Sequence, residues 1–129
     1  MRRVLVLLLL LAAAYAAKVP VAALHLVPGV LWPAPTYRVL GPECEETVAA
    51  LPVKLAEAQC YEMVVANPDD AATYLYFVAR GLAERYRLLE EKMLDERTLA
   101  QVWEGEGKKL YLWIRFDKNR FFIVAGYLE

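Results

Sequence analysis

The closing twenty residues constrain the fold of this chain more than any other stretch. Taking Lys118-Asn119 as a two-residue turn sets Asp117 opposite Arg120, Phe116 opposite Phe121 and Arg115 opposite Phe122. Ile114 then meets Ile123, Trp113 meets Val124, Leu112 meets Ala125, Tyr111 meets Gly126 and Leu110 meets Tyr127. Side chains alternate across a strand, so one face of this hairpin is wholly apolar: Leu110, Leu112, Ile114, Phe116, Phe121, Ile123 and Ala125. Such a face needs another element packed on it.

The preceding sequence reads as helices. Gly41-Pro42 opens one, with proline at its first position and Glu43, Glu45 and Glu46 facing the positive helix end. Pro52 should end it near residue 50 and start a second over residues 52–66, burying Val53, Ala56, Cys60 and Met63. The pair would form a helical hairpin turning at Leu51-Pro52. Asn67-Pro68-Asp69-Asp70 is a further start signal, and Leu75, Val78, Leu82, Tyr86, Leu89 and Met93 continue as one stripe, predicting a long central helix. Gly81 in its middle costs about 1 kcal/mol relative to alanine, which implies another element packed close by. The stripe loses phase near Leu94, so Asp95 caps a short helix through Trp103, closed by Gly105 and Gly107. The expected fold class is α+β: a helical hairpin plus a long central helix packed on the C-terminal antiparallel β-hairpin, with room for a third short strand from residues 36–40.

Residues 1–17 carry Arg2 and Arg3, an apolar run over 4–14, and Ala14-Tyr15-Ala16, the small-x-small form of a signal-peptidase site. They read as a signal peptide cut after Ala16 or as an N-terminal membrane anchor extended by a snorkelling Lys18, ahead of a third reading as a core helix of a cytosolic protein. The first two leave the two arginines in the cytoplasm and everything after residue 20 outside it. Residues 18–35 hold Pro20, Pro28, Pro33 and Pro35 among apolar side chains and read as an extended tether, followed by one compact domain over 36–129. His25, alone in that tether, has no companion ligand in the nearby sequence.

Composition narrows function mainly by exclusion. Without Arg2 and Arg3, 13 basic residues face 16 acidic ones with no basic block, which leaves nucleic acid nothing to hold. There is no serine and one histidine, so most hydrolytic chemistries lack their usual parts. Scarce Asn, Gln, Cys and Met, with arginine favoured over lysine, suit a thermophile, though GC-rich coding produces the same bias. The acidic pairs Glu45-Glu46 and Asp69-Asp70 are helix-start residues, Glu90-Glu91 would diverge on a helix, and Glu104 with Glu106 flanks a helix stop. No catalytic residue, cofactor or metal is assigned. Cys44 and Cys60 form an even pair in an exported chain and, across a helical hairpin, would bond.

The hairpin's second face holds Tyr111, Trp113, Arg115, Phe122 and Val124, more aromatic surface than a solvated sheet normally shows. Either the tether, residues 36–40 or the helix ending at Trp103 folds over it, or a protein or envelope-polymer partner does. Trp113→Ala discriminates, since only a core tryptophan should cost stability. The expected function is a non-catalytic exported or membrane-anchored binding or accessory subunit of a cell-envelope assembly, with a protein partner and no small-molecule ligand. The alternative is a small exported carboxylate hydrolase acting on glycan or peptide, with its site between Glu62 and Arg115.

Overall fold

The computed structural model, which describes residues 17–129, pairs β6 (Lys108–Asp117) with β7 (Arg120–Leu128) in the register read above, from Asp117 opposite Arg120 to Leu110 opposite Tyr127. The hairpin is not a lone ribbon under helices. It belongs to a seven-stranded antiparallel sheet with β1 (Ala17–Ala23), β2 (Leu31–Leu40), β3 (Leu55–Val64), β4 (Arg87–Asp95) and β5 (Thr98–Gly105), in the order β1-β2-β3-β7-β6-β5-β4. Two short helices pack on opposite faces, α1 (Pro42–Ala50) between β2 and β3, and α2 (Ala71–Leu82) between β3 and β4.

The expected fold class is therefore wrong in its helical half. Only α1 of the helical hairpin exists; the second helix, expected over 52–66, is instead strand β3, bonded to β2 on one side and β7 on the other. Its Ala, Glu, Gln and Met residues favour helices locally, but pairing on both sides of a central strand outweighs propensities of a few tenths of a kcal/mol each. A register shift between Ala56 and Gln59, with Glu57 at φ 56°, also breaks the two-residue alternation that would have marked it as a strand.

The long central helix is cut to α2. Asn67 accepts a hydrogen bond from the Asp69 amide at 3.1 Å and opens a 3₁₀ turn, Pro68–Asp70, that leads into it. Val78, Leu82 and Tyr86 are buried as the stripe required, but the chain turns after Leu82, and Leu89 and Met93 lie exposed on β4. Gly81 does meet a close neighbour: a β-carbon there would lie 3.3 Å from Val30 Cγ1. Asp95 caps a turn rather than a helix, accepting from the Arg97 amide at 2.8 Å and the Thr98 hydroxyl at 3.1 Å, and β5 follows it. Glu106 and Gly107, at φ 55° and 76°, then form a two-residue hairpin turn into β6.

Residues 18–35 are part of the sheet and its core rather than a separate tether. They supply most of β1, the turn over 24–30 and the start of β2, and Leu24, Val27, Val30 and Trp32 are buried. With α2 these cover one sheet face, where Tyr61, Met63, Leu112, Ile114, Phe121 and Ile123 form the larger core. The smaller core, under α1, gathers Val39, Cys60, Tyr111, Trp113, Phe122 and Val124. Most of the signal or anchor reading, including Ala14 and Ala16, lies outside the described residues.

Candidate functional site

The aromatic face singled out in the sequence is inside the molecule. Tyr111, Trp113, Phe122 and Val124 are buried, and what covers them is none of the three candidates but α1 and the segment that follows it, with Cys44 and Val48 of the helix and Leu51 and Val53 after it packed against them. Arg115 alone stays exposed, its guanidinium 4.7 Å from the centre of the Trp113 ring. Helix α1 is held there by a Cys44–Cys60 disulfide with Cα atoms 5.6 Å apart. The bond was expected, but it staples a helix to a sheet rather than two helices to each other.

Beside α1 lies the one buried carboxylate of the larger ionic groups. Glu62 meets Lys18 at 2.7 Å and Arg120, and Arg120 in turn reaches Glu43 at 2.6 Å. Burial pushes the Glu62 carboxyl upward, but the Lys18 hydrogen bond and the Arg120 and Lys18 charges outweigh it and hold it below its ordinary value. Glu62 and Arg115 do share a row, each opposite Phe122, yet they do not converge: Glu62 is committed to Lys18 and Arg120, and Arg115 to Trp113. The other acids serve structure too. Glu104 pairs with Arg87 at 3.5 Å, and hydrogen bonds from Arg97 and Thr98 hold Asp95 below the usual carboxylate range. Among the described residues no three His, Cys, Asp or Glu side chains cluster to hold a metal.

What the sheet leaves open is its β4 edge. All nine residues of β4 are exposed, and they include Leu88, Leu89, Met93 and Leu94, between 38% and 53% accessible. Among the described residues β4 bonds to β5 alone, and its other side presents amides and carbonyls that no described strand pairs. On the α1 side, the edge continues into a shallow groove of about 310 Å³ between Pro52-Val53 and β4–β5, with Glu90, Lys92, Leu94, Val102 and Tyr111 in its walls. Burial first, and the Glu90 charge second, push the Tyr111 phenol above its ordinary value. The opposite edge differs. β1 carries Pro20, which has no amide to offer and blunts that side.

Sequence reasoning missed this edge because Arg87–Asp95 reads as the end of a helix. The one signal against that reading was the loss of helical phase near Leu94, where two turns, at 96–97 and 106–107, mark off strands of eight to ten residues. Among the described residues no helix is long and apolar enough to cross a membrane. Comparison with protein-family models, curated proteins and solved structures returns no significant match, so function rests on the geometry alone.

Proposed function

We propose that this chain is a non-catalytic binding or accessory subunit of a cell-envelope assembly, located outside the cytoplasm by its N-terminal segment and making its contact through β4. The observation that carries this is the edge itself: nine consecutive exposed residues, four of them large and apolar, on a strand with one side unpaired. Isolated exposed leucines are ordinary, but a run of them on an open strand edge is a surface that pairs or aggregates. The Cys44–Cys60 disulfide supports an oxidising compartment. The contact reading moves from the aromatic hairpin face to this edge because a buried face has no surface to offer.

The test is site-specific photocrosslinking in the native host, with the crosslinker at Leu89 or Met93 and a control at Tyr37, together with the intact mass and membrane partitioning of the chain. A discrete adduct from the β4 positions and none from Tyr37, on protein from the envelope or membrane fraction, is the expected result. Protein confined to the cytoplasm, or β4 positions that yield no adduct, would reject the reading.

A further inference from the structure

Resting on the reading of β4 as a contact strand, we propose that its occupant is β4 of a second copy, paired antiparallel about Glu91 so that two sheets join edge to edge. The sequence of the strand is self-complementary about that residue. Glu90 and Lys92 are equidistant from Glu91, as are Leu89 and Met93, Leu88 and Leu94, and Arg87 and Asp95. Antiparallel pairing with a second copy therefore sets Glu90 against Lys92 and Leu89 against Met93 on either side of the central Glu91; beyond the two register shifts the match ends, since Leu88, opposite Trp103, lies on the α2 side and Leu94 lines the groove on the α1 side.

Geometry restricts the register further. A two-fold axis perpendicular to the sheet keeps each residue on its own face, so directly opposed residues must share a face. Glu90 and Lys92 do, since they pair with Val102 and Ala100 of β5, which lie on the α1 side beside Tyr111 and Trp113. The β4–β5 register is regular only between the shifts at Leu88/Glu90 and Met93/Asp95, and the proposed axis passes through that regular part. The nearest alternatives that preserve faces are worse: a shift one way opposes Glu90 to Glu90, and the other way Lys92 to Lys92, and both lose the Glu90–Lys92 pairs. In the centred register only the Glu91 carboxylates meet, and each is drawn back over its own sheet by a hydrogen bond from Gln101 Nε2 at 2.6 Å. The other edge cannot serve in the same way, because Pro20 interrupts β1.

Full-length protein from the native host, in detergent where it partitions to membrane, gives the test. Glu91→Cys adds the one free thiol to a chain whose two native cysteines are bonded, and it lies on the axis, where opposed Cα atoms about 4.5–5.5 Å apart can form a disulfide. Oxidised Glu91→Cys should run as a covalent dimer. By sedimentation, Glu90→Lys and Lys92→Glu should each weaken dimerisation about tenfold by creating two like-charge pairs, and the double exchange should restore it. A monomeric wild type, or dimers indifferent to both single exchanges, would overturn the proposal. A β4 photocrosslink to a different protein with no Glu91→Cys dimer would remove the second copy while leaving β4 as the contact; no β4 adduct of any kind would remove both.

Discussion

Glu62 ties four elements together by charge: Lys18 reaches it from β1, Arg120 from β7, and Arg120 holds Glu43 of α1. Because its folded carboxyl is held below the ordinary value of 4.5, the stabilisation is complete above that pH and is lost as pH falls through the folded value. Glu62→Gln should therefore cost roughly 1.5–3 kcal/mol at neutral pH, and in denaturant melts the gap to wild type should narrow progressively as pH falls below 4.5. A gap independent of pH would show that the loss is steric. Trp113 tests the second core at the same scale. Buried under α1, it should cost about 3–5 kcal/mol as Trp113→Ala, whereas exposed Arg115→Ala loses only a cation–π contact of about 0.5–1 kcal/mol. Equal, small losses would mean that α1 does not seal this face.

Among the elements, α1 depends most on something outside itself. It has nine residues, too few for an isolated helix, and none of them is fully buried. Its anchor is the disulfide, which closes a loop of sequence separation 16 and should contribute roughly 3 kcal/mol. Cys44→Ala with Cys60→Ala should lower stability by about that amount and shift tryptophan emission to the red as Trp113 meets water; unchanged emission would mean that packing alone docks the helix. The elements legible in the sequence were those with local signals: α1 through Gly41-Pro42 and its acids, and the β6–β7 hairpin through its register. β3, β4 and β5 were not legible, for three different reasons. β3 carries a bulge that breaks alternation, β4 is an edge strand built from helix-favouring Leu, Glu and Lys, and β5 is buried on both faces from Thr98 to Gln101 and so shows no alternation. The disulfide partners were read correctly from parity and compartment. The β4 edge was hidden because an exposed strand and an exposed helix draw on the same residues.

At the scale of the whole molecule, two antiparallel runs, β1-β2-β3 and β4-β5-β6-β7, meet at the single seam between β3 and β7. Both cores cross that seam. Tyr61 and Met63 of β3 pack with Phe121 and Ile123 of β7 on one face, and Cys60 packs with Phe122 and Val124 on the other. Neither run can leave without exposing both cores at once, so unfolding should be a single transition with equal calorimetric and van't Hoff enthalpies, about 70–80 kcal/mol for a domain near this size. Two resolved transitions would show that the seam is weaker than the runs it joins. Within the native state, amide exchange should be slowest in β3, β7 and β6 and fastest at the edges β1 and β4. The two edges should then part company as protein concentration rises. Protection that grows in β4 while β1 stays open is what pairing between copies requires, because each outward amide of β4 gains a carbonyl only when a second strand arrives; protection independent of concentration would mean that β4 stays a free edge.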